Sequence, residues 1–227
     1  MKKILADCDG VLLDWAYSFE KWMKFHFDLT PVDRTKYDIG ERYQTDWNLK
    51  RSDKFYLPRV FCNSSRIASL KPERDAVKYV KKMYEEYGIT IDVITSLSLD
   101  PETQRLRRMN LRNVFGDAID RVVCLDTGAD KNDILEEWRD TGLYWIEDKM
   151  ANCLAGHEVG LEPIIMSHLY NKDDKSDVVT RVNSWKEIYD MVNEVSHTYY
   201  ESGRVNSWKK NYDMVTSDIE NHIADKY

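Results

Sequence analysis

The sequence predicts an α/β fold: a parallel sheet with helices on both faces. Three observations predict it. Short β-branched apolar runs alternate with amphipathic segments along most of the chain. Several of those runs end in acidic or hydroxyl residues, as strands do where they open into functional loops. The 227 residues, 42% of them hydrophobic, suffice for one core of ordinary size with a small insertion.

Taken in order, Lys3-Ile4-Leu5-Ala6 is a buried strand that opens into Asp7-Cys8-Asp9-Gly10. From about Asp14 to Phe27 the apolar residues Trp15, Phe19, Trp22, Met23 and Phe27 recur at helical spacing. Residues 28–70 are rich in aromatics and charges, with weak periodicity and turn signals such as Asp38-Ile39-Gly40; they read as a small, mainly helical insertion. Pro72 is placed in the first turn of the next helix, whose stripe of Ala76, Val77, Val80, Met83 and Tyr84 stops at Gly88. Ile89 to Ile94 is a strand closing on Thr95-Ser96. Pro101, with Asp100 as its cap, opens a basic helix to about Val114. Then follow a strand over Arg121–Leu125, a helix over Asn132–Arg139 and a strand over Gly142–Ile146 that ends in Glu147-Asp148. A helix to about Val159 and a strand over Pro163–Met166 complete the pattern, and right-handed crossovers are expected throughout.

Near the C-terminus Arg181-Val182-Asn183-Ser184-Trp185-Lys186 recurs as Arg204-Val205-Asn206-Ser207-Trp208-Lys209. Two copies are too few for a solenoid, and each reads as a Ser-capped helix. The expected organisation is a core of residues 1–14 and 76–200, a helical cap over 15–75, and a helical extension over 201–227 that duplicates 181–192. Contact within a homo-oligomer is one open role for that extension.

Composition excludes several classes. With 33 basic and 40 acidic residues the net charge is −7, which argues against a nucleic-acid polymer as partner. Cys8, Cys62, Cys124 and Cys153 lack metal-ligand spacing and read as reduced thiols. No apolar window is long enough to span a membrane, and the run before Asp7 is too short, and too soon interrupted by acids, to read as a secretory leader. The expectation is a soluble, cytoplasmic protein.

Asp7 and Asp148 can bring two carboxylates to one point from different strands, an arrangement that repels unless a cation lies between them. Mg²⁺, a hard and octahedral ion, suits such oxygen ligands together with a phosphate. Lys131, opening a helix after the third strand, would screen the phosphate so that anionic Asp7 can attack it as a nucleophile. Thr95 can donate to a phosphoryl oxygen, as can the backbone N–H groups after Asp7 up to Gly10. Asp9 can protonate the leaving oxygen and later deprotonate water.

Four motifs in order carry a family likeness: Asp7-Cys8-Asp9-Gly10-Val11-Leu12-Leu13-Asp14, Val93-Ile94-Thr95-Ser96, Lys131, and Trp145-Ile146-Glu147-Asp148. They resemble the haloacid dehalogenase superfamily over about residues 1–195. The resemblance implies a Rossmann-like core with a cap after the first strand, Asp7 as nucleophile and metal ligand, Asp9 as acid/base and metal ligand through its carbonyl, and Asp148 as metal ligand. Glu147 is implied to reach the metal through water or to tune Asp148. Within that superfamily the chain looks most like the 5'(3')-deoxyribonucleotidases, on Thr95-Ser96, Leu70-Lys71-Pro72 and Ser184-Trp185-Lys186-Glu187-Ile188. That likeness implies a small phosphomonoester, a (deoxy)nucleotide, as substrate, with Ser96 helping Thr95 and Lys131 hold the phosphate. A sugar-phosphate phosphatase or phosphomutase and a non-catalytic binding protein are the competing readings. For a base to stack on, the candidates are Trp47, Phe55, Tyr56 and Phe61, set against the plainer reading that they form the cap's core.

Overall fold

The computed structural model describes residues 2–43 and 56–201, and of residues 2 and 196–201 the backbone alone. Six strands form one sheet in the order β3-β2-β1-β4-β5-β6, every neighbour parallel: β1 Lys2–Ala6, β2 Ile89–Ser96, β3 Ile119–Leu125, β4 Tyr144–Glu147, β5 Glu162–Met166 and β6 Thr180–Val182. β6, only three residues with an exposed first position, carries too little apolar pattern to be seen in the sequence.

Between β1 and β2 lie α1 (Trp15–Phe27), α2 (Ile39–Tyr43), α3 (Tyr56–Cys62), a 3₁₀ turn over Ser65–Ser69 and α4 (Ala76–Tyr87). Asp14 caps α1 by accepting from the Tyr17 N–H at 2.9 Å. Trp15 and Phe19 stack at 4.6 Å, and Phe61 meets both rings edge-on. Phe61 is therefore core rather than a substrate contact, whereas Tyr56 is exposed. Trp47 and Phe55 lie outside the described residues. Pro72 does not start a helix. It forms an antiparallel bridge with Leu13, and α4 begins four residues later. The Asp14 N–H to Lys71 carbonyl bond (2.8 Å) and the Glu73 N–H to Leu12 carbonyl bond (2.9 Å) join the two strands of this crossing.

Further along are α5 (Pro101–Phe115), α6 (Asn132–Leu135), α7 (Met150–Glu158) and α8 (Trp185–Glu201). Asp100 caps α5 as its sequence suggests, at 2.7 Å from the Thr103 N–H. The helix expected over Asn132–Arg139 is one α turn followed by a 3₁₀ turn over Glu136–Trp138. Ser184 accepts from the Glu187 N–H at 3.3 Å, but the first N–H groups of α8 also donate to the Asp75 carboxylate, at 3.1 and 2.9 Å. That contact ties α8 to the start of α4. Two apolar clusters fill the two faces of the sheet, one around Phe19, Ile91, Phe115 and Trp185, the other around Leu5, Ile94, Trp138 and Trp145. No described helix is long and apolar enough to cross a membrane.

Candidate active site

Strand order reverses between β1 and β4, the place where an open parallel sheet leaves a crevice at its carboxyl edge. Ala6 pairs with Ile146, and the Asp7 N–H donates to the Ile146 carbonyl at 2.8 Å. Asp7 and the Glu147-Asp148 pair, far apart in sequence, thus emerge side by side. Ala6 also pairs with Val93, which brings Thr95 and Ser96 to the same edge. Thr95 is buried; the Ser96 hydroxyl donates to the Ala129 carbonyl at 2.7 Å and so braces the loop that leads to Lys131.

Lys131 is 1% exposed. Its ammonium lies 2.8 Å from Asp7 Oδ1 and 2.6 Å from Glu147 Oε1. Glu147 Oε1 also accepts from Asn152 Nδ2, while Oε2 accepts from the N–H groups of Asp148 and Lys149. Four donors thus occupy this carboxylate, which anchors Lys131 and the turn after β4. Burial works against its charge, but Lys131, the backbone donors and Asn152 hold its pKa below the usual value.

Asp148 is placed differently. Tyr170 donates its hydroxyl to Oδ2, and Asn171 Nδ2 donates to the Asp148 carbonyl at 2.8 Å. Its other oxygen, Oδ1, is buried without a partner. Burial, then the charges of Glu147 and Asp7, push its carboxyl well above the ordinary range. Burial likewise raises Asp7, to about 6, against the pull of Lys131 and with a further push from Glu147 and Asp9. One oxygen from each of Asp7, Glu147 and Asp148 lies within 4.8 Å of the others. A buried Asp148 oxygen without a partner, in a group that holds a second raised carboxylate, fits a small divalent cation, which would supply the missing partner and relieve the repulsion.

Gly10 is required where it stands. Its φ is +80°, and a Cβ there would come within 2.8 Å of Asp148 Oδ2 and 3.0 Å of the Tyr170 oxygen. Its carbonyl accepts from His168 Nε2 at 2.6 Å, so that nitrogen carries the proton. His168 and Tyr170 stack at 5.0 Å, and Tyr37 meets Tyr170 edge-on at 5.3 Å.

Asp9 stands apart from the acidic cluster. Arg107 grips its carboxylate with both terminal nitrogens, Nη1 on Oδ1 and Nη2 on Oδ2, the latter at 3.0 Å. Sequence reasoning missed Arg107 because it sits in a run with Arg105, Arg108 and Arg112 that reads as a solvated basic face. It also missed Tyr170, His168 and Asn171, whose loop after β5 carries no motif.

No protein-family model matches the chain, and no curated protein matches it. Solved structures do. A haloacid dehalogenase-like hydrolase from Streptococcus pneumoniae superposes with TM-score 0.58 at 12% identity, over 85% of this chain and 98% of its own. The putative hydrolase YfnB of Bacillus subtilis, described as bound to magnesium, gives 0.54 at 13%, over 85% and 98%. A D,D-heptose 1,7-bisphosphate phosphatase from Burkholderia thailandensis gives 0.50 at 10%, over 85% and 99%. Dehalogenases stand among the matches as well. From the strand order, the acids at the crevice and these superpositions, the chain has the fold of the haloacid dehalogenase-like hydrolases, with a buried acidic group at its carboxyl edge suited to a cation.

Proposed function

We propose that this protein is a Mg²⁺-dependent phosphomonoester hydrolase that works through an aspartyl-phosphate on Asp7. The observation that carries the reading is the pairing of Asp7 with Lys131 beside the unpartnered, buried Oδ1 of Asp148. Asp7 and Asp148 would hold the metal, with the Asp9 carbonyl as a third ligand and Glu147 acting through Lys131 and the Asp148 backbone. Bound there, Mg²⁺ supplies positive charge that lets an anionic carboxylate approach an anionic phosphate.

The protein's own groups do the rest. Lys131 keeps Asp7 oriented through Oδ1 and lends its charge to the phosphoryl oxygens. Thr95 binds those oxygens; the Gly10 N–H expected to join it donates instead to the Leu13 carbonyl at 2.9 Å, those of Leu12 and Leu13 donate to the Cys8 carbonyl, and that of Cys8 donates to Asp7 Oδ1. An Asp7 oxygen attacks phosphorus as the ester oxygen leaves, taking a proton from Asp9, which for this step would be the neutral acid and would accept from Arg107 through its carbonyl oxygen alone. Water, giving its proton to Asp9, then attacks the phosphorus and frees Asp7 and inorganic phosphate.

For substrate class, the reading favours nucleoside monophosphates of the 5'(3')-deoxyribonucleotidase kind. Tyr37, 52% exposed and with Lys149 Nζ 4.6 Å from its ring centre, presents a ring close to Tyr170 and Asp148. A phosphate-release panel of deoxynucleotides, hexose phosphates and an aryl phosphate, with and without Mg²⁺, tests this. Release from deoxynucleotides, lost on removing Mg²⁺ and in Asp7→Asn, is the expected result. Turnover of hexose phosphates alone would move the assignment to sugar phosphates. Halide release from a 2-haloacid in place of phosphate would overturn the phosphatase reading, and no turnover at all would leave a binding protein.

A further inference from the structure

The turn after β4 ends in a lysine that the chemistry above leaves unused. Lys149 is the N-cap of α7, yet its side chain makes no cap bond, and its charge opposes the positive end of the helix. A serine or an aspartate would hold that end better, so α7 does not explain the residue. Its backbone N–H belongs to the Glu147 anchor. Its ammonium turns to the cap instead, 4.6 Å from the ring centre of Tyr37, and among the described residues it has no carboxylate partner. Tyr37 in turn meets Tyr170 edge-on, and Tyr170 bonds Asp148 Oδ2. The Tyr37 ring is half exposed, but its hydroxyl end is sheltered at the crevice: burial, then the charges of Asp148, Asp7 and Glu147, push the phenol well above its ordinary range. β4 and β2 flank β1 on its two sides, so Lys149 and Thr95 flank Asp7 in the same way.

We propose that Lys149, held against the Tyr37 ring of the cap, is a substrate-binding cation that meets the phosphate group from the β4 side. The inference rests on the phosphatase reading above and names the residue that answers the substrate's own charge. Lys131 divides its charge between Asp7 and Glu147, and Arg107 is closed on Asp9. A divalent cation would balance what remains on Asp7 and Asp148. A phosphomonoester then brings nearly two further negative charges at neutral pH. Lys149 is a cation at this edge with no acid to neutralise, so it can turn to the phosphate without breaking an ion pair. The ring keeps the ammonium in place meanwhile through a contact weaker than a charged hydrogen bond. Because the contact is with phosphate, it is blind to the alcohol that the ester carries.

Inorganic phosphate is the probe, titrated calorimetrically into the Mg²⁺-loaded protein at pH 7.5. Lys149→Ser removes the ammonium and installs a favoured helix cap, so the fold is not put at risk. It should weaken phosphate about 10- to 100-fold, the range for losing a hydrogen bond to a charged group. Lys149→Arg should stay within about threefold, since a point charge rather than a lysine as such is needed. Tyr37→Leu should weaken phosphate about two- to fivefold by releasing the ammonium, and should add nothing in the Lys149→Ser background. Mg²⁺ alone should bind Lys149→Ser at least as tightly as the wild type, because a like charge beside Asp148 has gone. KM for a deoxynucleoside monophosphate and for a hexose phosphate should rise by the same factor as the phosphate Kd. Unchanged phosphate binding in Lys149→Ser, in a wild type that does hydrolyse phosphate esters, would overturn this inference alone. So would a KM rise confined to nucleotides, or weakened Mg²⁺ binding, which would make Lys149 a prop for the metal turn. A Mg²⁺-loaded wild type that neither binds phosphate nor hydrolyses any ester overturns the phosphatase reading, and this inference falls with it.

Discussion

Replacing Asp148 by Asn separates the metal's contribution from that of the fold. The substitution keeps shape and leaves an amide oxygen to accept the Tyr170 hydroxyl, but it removes one negative charge from a buried group that also holds Asp7 and Glu147. Without metal that charge is a burden: burial and the two neighbouring carboxylates hold the Asp148 carboxyl well above its ordinary range. Metal-free Asp148→Asn should therefore melt at the same temperature as the wild type or a few degrees higher. With Mg²⁺ the order reverses. A ligand at a hundred times its Kd adds about 2.7 kcal/mol, and for a chain of this size 1 kcal/mol moves the midpoint by roughly 2–4 °C. The wild type should gain about 5–10 °C, and the variant, lacking the anionic ligand, should gain little. Thermal denaturation at pH 7.5 with and without Mg²⁺ reads all four values. Equal Mg²⁺ shifts in both proteins would refute the assignment of Asp148 to the cation. So would a metal-free variant that melts far below the wild type.

Other consequences follow from the same contacts. Lys131→Met leaves Asp7 and Glu147 buried without their shared cation; metal-free stability in urea should fall by about 3–5 kcal/mol, and a loss under 1 kcal/mol would contradict the burial argument. Asp7 titrates at about 6 in the folded chain against an ordinary 3.8, so the folded state keeps a proton that the unfolded state has released between those values. Its contribution therefore falls as pH rises from about 4 to about 6 and is level above that, by roughly 3 kcal/mol in all. Denaturant titrations of Asp7→Asn should show that much less decline than the wild type, and parallel curves would refute it. Tyr170→Phe strips Asp148 Oδ2 of its donor, and calorimetry should find Mg²⁺ binding weakened about 10- to 100-fold, whereas an unchanged Kd would show that the phenol plays no part.

How far the sequence discloses this site depends on what each residue's neighbours in the chain reveal. Asp7, Thr95 and Asp148 are legible because an apolar strand points to each, and the parallel order puts all strand ends on one edge. Lys131 is legible from its place at a helix start. Arg107 is not, since helical periodicity in a basic segment cannot say which of several arginines turns inward; a counter-charge across the fold, Asp9, decides it. Pro72 misleads for a related reason. A proline suits the first turn of a helix and the edge of a β-bridge alike, and its pairing with Leu13, 59 positions away, is invisible locally. His168, Tyr170 and Asn171 stand in a loop whose conformation is set by Arg181: its Nη1 bonds Asn171 Oδ1 at 3.1 Å and its Nη2 the Asn171 carbonyl at 2.9 Å.

Charge balance explains why these groups divide as they do. Arg107 and Asp9 neutralise one another, and Lys131 with Glu147 forms a second neutral pair, closed by Asn152 and two backbone N–H groups. What remains uncompensated is Asp7, which shares Lys131 with Glu147, and Asp148, which has a phenol on one oxygen and nothing on the other. Two buried carboxylates without counter-charge of their own carry −2, which the +2 of one divalent cation balances. In the absence of metal the same deficit shows as carboxyls raised toward protonation, so Mg²⁺ must displace any protons bound there. Calorimetric titration in two buffers of different ionisation enthalpy should therefore return one Mg²⁺ per chain, with proton release that grows as pH is lowered from 8 to 6. A heat independent of buffer across that range would mean that the cation and these carboxyls do not share a site.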